Sequence, residues 1–188
     1  MTALQRNIEA LRGTLDSIGG LGELVEQAGG AVADALLGGD KVLACGNGGS
    51  AADAAHFTTE LVGRFTAERR GYPAICLNTH GGDLTALGND YGFDRVFSRQ
   101  VEAIGLAGDV LVAITTSGAS ANVRAAIQSA GARGMTVITV LGRDGGACRG
   151  LGDIELIVPG SSTARIQEAH QLLLHTITEV ADERLLKV

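Results

Sequence analysis

Tryptophan is absent from this 188-residue chain, and aromatic residues make up only 3% of it. The core therefore has to be assembled from Ala, Leu, Val and Ile rather than around large rings. Cysteine is scarce as well. Cys45, Cys76 and Cys148 are odd in number and far apart, without a Cys-x-x-Cys pair. That pattern reads as reduced thiols in a cytoplasm, with Cys45 and Cys76 falling where strands want small core residues. Basic clusters are missing too. Lys and Arg are scattered, Glu68-Arg69-Arg70 is too short to be a footprint, and the net charge is −6, so a nucleic-acid groove with its concentrated basic face is not expected. No apolar run approaches the roughly 18 residues of a membrane span, and no basic segment followed by an apolar one opens the chain. The expectation is a soluble cytoplasmic protein with neither nucleic acid nor membrane as partner.

Glycine is the residue in abundance, at 28, and provides for tight turns and close backbone approaches. The length suits one domain over residues 1–188 with a proper core. Spaced apolar positions (Leu4, Ile8, Leu11, Leu15, Ile18, Leu21) predict a long or two-part helix across the N-terminal segment, 1–37. The remainder, 38–188, alternates. Apolar runs at 41–46, 72–78, 109–115, 135–142 and 154–159 read as strands. Helices are expected at about 50–64, with Ser50 as N-cap, at 121–134, capped by Ser120, and at about 163–186. The stretch "THGGDLTALGNDYGFD" reads only as polar and Gly-rich. Continuous rather than alternating apolar strands mark a parallel sheet covered on both faces. The fold class is therefore α/β: a three-layer, doubly wound, parallel five-stranded sheet flanked by helices, with an extra N-terminal helix.

One pattern repeats: strand, Gly/Ser loop, helix, at 41–64 and again at 109–132. In an open parallel sheet both loops lie beyond the carboxyl ends of the strands, where ligands bind. "GNGGS" (46–50) offers backbone N–H groups with few side chains in the way. "TTSGAS" (115–120) adds the hydroxyls of Thr115, Thr116, Ser117 and Ser120. Free amides at a helix N-terminus together with several hydroxyls suit a phosphate monoester, although such turns also use Gly and Ser merely to turn. Neither loop matches the dinucleotide fingerprint or the P-loop, which points to a small phosphorylated substrate rather than a nucleotide.

His56 and Glu60 stand at i and i+4 on the helix that the first loop opens. The last helix carries "RIQEAHQLLLHTITE", with Gln167, His170, Gln171 and His175. His170 reads as solvated or supporting, and His175, among leucines, as a core histidine or a functional one. Two histidines with a glutamate and a glutamine could hold Zn²⁺ with an open position; equally, a carboxylate and an imidazole could shuttle protons between adjacent sugar carbons. Spacing alone leaves both open.

The segments "CGNGGSAADAAHFTTELVGRF", "GYPAICLNT", "LGNDYGFDRVFSRQVEA", "GDVLVAITTSGASANV", "GMTVITVLGRDGG" and "ARIQEAHQLLLH" together resemble the bacterial phosphoheptose isomerases of the sugar isomerase (SIS) fold, over nearly the whole chain. The resemblance implies a homotetramer with active sites at subunit interfaces. Its reaction would convert sedoheptulose 7-phosphate to D-glycero-D-manno-heptose 7-phosphate through an enediol, the first step toward nucleotide-activated heptose. It implies Glu60 as general base and His175 as general acid. It assigns Asn47, Gly48, Gly49, Asn89, Asp90, Thr115, Thr116, Ser117, Ser120 and Gln167 to substrate. It also implies a zinc ion per subunit on His56, Glu60, Gln167 and His175. Gln167 and His175 are eight residues apart, roughly 12 Å of helix rise, so Gln171, at i−4 from His175, is the geometrically easier partner. Thr115 and Ala119 stand where the family usually has Ser and Asn; altered affinity rather than lost function is expected.

Two rivals share the fold. One is a non-catalytic tetrameric adaptor that binds the replication initiator protein, a relative in which apolar or amide residues replace the base and the acid. The other is a sugar-phosphate sensor. This sequence retains Glu60 and His175, which neither rival needs.

Overall fold

The computed structural model describes residues 1–187; residue 188, the last of the expected domain, lies outside the described residues. The chain opens with α1 (Ala3–Ile18) and α2 (Gly22–Gly38), separated by one 3₁₀ turn, so the N-terminal pattern is indeed a two-part helix. A capping box starts α1: the Gln5 amide donates to the Thr2 hydroxyl, and the Thr2 amide to the Gln5 side chain. There follow β1 (Val42–Gly46), α3 (Gly49–Val62), β2 (Ala74–Cys76), α4 (Gly81–Tyr91), α5 (Val96–Ile104) and β3 (Val110–Thr115). The chain closes with α6 (Ala121–Ala132), β4 (Thr136–Gly142), β5 (Ile154–Val158) and α7 (Thr163–Leu185).

The strands form one sheet in the order β2-β1-β3-β4-β5, every neighbouring pair parallel. Alternate residues of β1, β3 and β4 feed two cores. Val42, Ala44, Val110, Val112 and Ile138 pack with α2, α3 and α7. Leu43, Cys45, Leu111, Ala113 and Val137 pack with α5 and α6 on the other face. Each Leu or Val so buried contributes roughly 1.5–3 kcal/mol, and burial on both faces is why the strands read as unbroken apolar runs. This is the doubly wound α/β architecture expected from the sequence.

Three local expectations change. The second strand shrinks from 72–78 to Ala74–Cys76. Pro73 brings no N–H to the ladder, β2 is an edge strand, and Asn78 turns its side chain back on Gly46 instead of extending the strand. Residues 79–94, read only as a polar stretch, contain α4, and α5 follows. No residue of α4 is buried, so it has no full apolar stripe that could have announced it. Finally, α3 begins one residue before Ser50: Gly48 occupies the cap position, and Ser50 is buried inside the first turn.

The strand order reverses between β1 and β3, which is where this architecture opens a crevice for ligands. Asp109, almost fully buried, levels these two strands at their amino ends. Its carboxylate accepts from the Lys41 ammonium at 2.6 Å, the Lys41 backbone at 3.0 Å and the Leu106 backbone at 2.7 Å. Val42 then pairs with Val110 and Gly46 with Ile114. Both Gly/Ser loops consequently leave the sheet side by side at its carboxyl edge.

Candidate active site

The first loop, Asn47–Gly48, is held by amides. Asn47 and Asn122 exchange side-chain hydrogen bonds of 2.8 and 2.9 Å, and Asn122, buried at the start of α6, also accepts from the Val123 amide. Asn78 accepts from the Gly46 amide at 3.2 Å and donates to its carbonyl at 2.8 Å. Gly48 sits at φ +57° and ψ −118°, a conformation that a side chain strongly disfavours. A Cβ on Gly49 would lie 2.3 Å from the Gln167 amide of α7. Glycine is thus required at 48 by backbone conformation and at 49 by the approach of α7. The first amides of α3 close the turn on itself: Ser50 donates to the Asn47 carbonyl at 3.0 Å and Ala51 to the Gly48 carbonyl at 3.1 Å.

α3 and α7 meet at the acid–base groups. The Nε2 atoms of His56 and His175 are 2.9 Å apart, Glu60 Oε1 is 3.3 Å from His56 Nε2, and Gln171 Nε2 is 2.9 Å from His175 Nε2. The Phe65 ring lies 5.6 Å from that of His175. A neutral imidazole nitrogen offers one lone pair or one proton, yet two nitrogens crowd His175 Nε2. Such convergence suits a shared proton or a cation, and the donor set of two imidazoles, a carboxylate and an amide is the nitrogen–oxygen kind that zinc accepts. Among the described residues, no group of three or more His, Cys, Asp or Glu is arranged to hold a metal ion.

The two amides of α7 divide the site between them. Gln171 reaches His175, whereas Gln167, one turn earlier, faces Gly49 and Asp53. Asp53, Ala164, Gln167, Glu168 and Gln171 line a cavity of about 310 Å³. Asp53 is buried, and its Oδ2 has no hydrogen-bond partner among the described residues. Burial raises its carboxyl above the usual range, with Gln167 and His56 pulling it partly back.

The second loop presents a hydroxyl cluster. Thr115 Oγ1 lies 3.0 Å from Ser120 Oγ and 3.3 Å from Ser117 Oγ, and the Ala119 amide donates to Ser117 Oγ. Ser120 takes the N-cap position of α6 as expected, but its hydroxyl turns to Thr115 and caps no amide. Thr116 is half-buried beside them. Asn89 and Asp90 stand apart on the exposed side of α4, hydrogen-bonded to each other; the protein itself links them to neither loop.

Of the two histidines of α7, His170 differs from the sequence expectation. His170, read as solvated or supporting, is fully buried, and neither ring nitrogen has a hydrogen-bond partner among the described residues. Burial lowers its pKa to about 4, only partly opposed by the Leu141 carbonyl. The core histidine is thus His170, while His175 faces the site. Sequence reasoning also passed over Asp53, Asn78 and Asn122. Asp53 was within reach, since it stands three residues before His56 and seven before Glu60 on one helical face. The two asparagines gave no signal, because their partners lie on other strands and loops.

Comparison with known proteins places this fold. The family model described as a SIS domain matches residues 9–142, ending at the last residue of β4, and the chain belongs to the SIS-domain family. Within that family its close relatives are of one kind. A phosphoheptose isomerase from Citrifermentans bemidjiense is 52% identical over 167 residues, which is 89% of this chain and 87% of the relative. The structure of a phosphoheptose isomerase from Neisseria gonorrhoeae, 44% identical, superposes with a TM-score of 0.85 over 97% of this chain and 100% of that one. One from Francisella tularensis, 38% identical, reaches 0.90 with the same coverage. The phosphoheptose isomerases are the branch of the SIS family to which the chain belongs.

Proposed function

We propose that this protein is an aldose–ketose isomerase that converts sedoheptulose 7-phosphate to D-glycero-D-manno-heptose 7-phosphate, the first step toward nucleotide-activated heptose. The observation that carries the reading is the meeting of Glu60, His56 and His175 from two helices, next to a loop opened for close approach at Gly48 and Gly49. Close relatives bearing that enzyme's name support it. The phosphate would bind at Thr115, Thr116, Ser117 and Ser120, where hydroxyls and the N-terminus of α6 converge. Asn47, Gly48, Gly49 and Gln167 would line the sugar.

In this reading Glu60 takes a proton from C1 of the ketose while His175 gives one to the carbonyl oxygen at C2, forming the enediol. Delivery of a proton to C2 and loss of the C1 hydroxyl proton then leave the aldose. One zinc ion per subunit belongs to the proposal. His56, Glu60 and His175 would hold it with an amide of α7, Gln167 by the family pattern and Gln171 by proximity in this chain. Zinc so held would supply Lewis-acid stabilisation of a developing oxyanion. His56, Gln171 and Phe65 contact and orient His175.

The homotetramer with sites at subunit interfaces is also proposed. It is supported by α1, which leaves Leu4 68% and Ile8 41% exposed, and by the position of Asn89 and Asp90 on α4, none of whose residues is buried within the protomer. No helix among the described residues is long and apolar enough to cross a membrane, and three buried free cysteines accord with a reducing, cytoplasmic setting. The test is incubation with sedoheptulose 7-phosphate, with and without added zinc, followed by NMR for the aldose phosphate. Conversion is expected, and its zinc dependence separates metal-assisted from purely acid–base chemistry. A folded protein that converts nothing under either condition contradicts the isomerase and returns the adaptor or sensor.

A further inference from the structure

Arg69 lies in the segment between α3 and β2, far in sequence from α7, yet it ties the two site helices together. Its side chain is only 3% exposed, and its Nε donates to Asp182 Oδ1 of α7 at 2.7 Å. The rest of the guanidinium donates to the carbonyls at the end of α3: Nη2 to Glu60 at 2.8 Å, and Nη1 to Leu61 at 3.1 Å and Gly63 at 3.2 Å. A helix end leaves such carbonyls without intrahelical donors, and a cation there also opposes the negative end of the helix dipole. The fork of donors is particular to arginine, since a lysine ammonium cannot span a carboxylate and three carbonyls in one plane. Tyr72 closes the same junction: its ring lies 5.4 Å from the guanidinium, and its hydroxyl donates to the Leu185 carbonyl of α7.

One carbonyl in this clamp belongs to Glu60 itself. Asp182 follows His175 by seven residues, two turns or roughly 10 Å along α7. We infer that Arg69, with Asp182, is a positioning residue of the active site: it fixes the end of α3 against α7 and so sets the placement of Glu60 and His56 relative to His175. A shift of the order of 1 Å between a base and its substrate costs rate steeply while leaving ground-state binding largely in place. The inference rests on the isomerase reading for its kinetic consequence, but the geometric link between the helices does not.

The test compares the full-length protein with R69K, D182N and the apolar pair R69M/D182L, following both turnover and the imidazole ¹⁵N resonances. R69K is expected to lower kcat at least about tenfold with KM within about threefold, and to move the His56 and His175 signals. Buried His170 and exposed His80 serve as references that stay in place. D182N, which retains an acceptor oxygen, gives a smaller change in the same direction and covers the case in which R69K fails to fold. R69M/D182L recovers the melting temperature, because a well-packed apolar pair can replace a buried ion pair, but it does not recover kcat. Unchanged kcat per folded molecule with unmoved His56 and His175 signals overturns the inference, as does an apolar pair that restores rate and stability together. Should the wild-type protein not turn over the sugar phosphate, the isomerase reading fails on its own, and the resonances alone decide whether the clamp positions the two helices.

Discussion

β1–α3 and β3–α6 follow one plan, a buried strand, a Gly/Ser turn and a helix, and they lie side by side in the sheet. Their polar groups are placed in opposite ways. In the first unit the turn is nearly bare, and the helix carries Asp53, His56 and Glu60. In the second, the hydroxyls of Thr115, Ser117 and Ser120 crowd the turn, and the inner face of the helix is Val123, Ala126, Ile127 and Ala130. In the proposed reading the same backbone device serves two tasks: a bare turn would let substrate carbons reach groups on the helix, and a hydroxylated turn would grip the phosphate and leave its helix to the core.

The largest effect should come from the helix of the first unit. Glu60→Gln keeps size and hydrogen bonding but removes the base, and kcat should fall by about 10³, with KM nearly unchanged. Steady-state assays of aldose formation would show it; a loss below tenfold would place the base elsewhere.

α7 repeats the contrast between site and core within one helix, at His175 and His170. His170 is held neutral, with a pKa of about 4 against 6.5 when free, so between these values the unfolded chain binds the proton and the folded one does not. Its contribution is therefore complete above about pH 6.5 and is lost as pH falls toward 4, by roughly 3 kcal/mol at the lower end. Urea titrations should show this slope in the wild type and a weaker one in His170→Leu. Identical slopes would mean that His170 is not buried as neutral imidazole.

The next test breaks the link between the units. Asn122→Ala leaves the Asn47 amide without its partner and should cost about 1–3 kcal/mol in the denaturation midpoint, with KM raised as the first loop loosens. The smallest effect belongs to the second turn. Ser117→Ala should weaken the substrate by about tenfold in KM while kcat holds, since one hydroxyl to the charged phosphate is worth at least roughly 1.5 kcal/mol. A fall in kcat with constant KM would show that the two turns do not divide the work.

The sheet, its doubly wound cover and both loops were legible in the sequence because continuous apolar strands and Gly/Ser turns are local patterns. α4 was not, since a helix with no buried residue carries no complete apolar stripe and its glycines read as loop. His56 and Glu60 showed themselves by i, i+4 spacing. The burial of His170 was hidden because Glu168 and Gln171 beside it are polar, and spacing left His175 open between core and site; only the packing of α7 against β4 and α3 tells them apart. Preference for Gln171 at His175 followed from helical rise alone. Arg69, Asn78 and Asn122 stayed hidden, since each acts on a residue at least nine positions away on another element.

The central claim is that Glu60 carries the proton between C1 and C2. Its most direct test is the reaction in deuterium oxide followed by ¹H NMR of the sugar phosphate, wild type beside Glu60→Gln. The wild type should form the aldose and exchange the C1 proton for deuterium, and the variant should do neither while still binding the sugar phosphate. Exchange at C1 that persists in the variant at the wild-type rate would contradict the account.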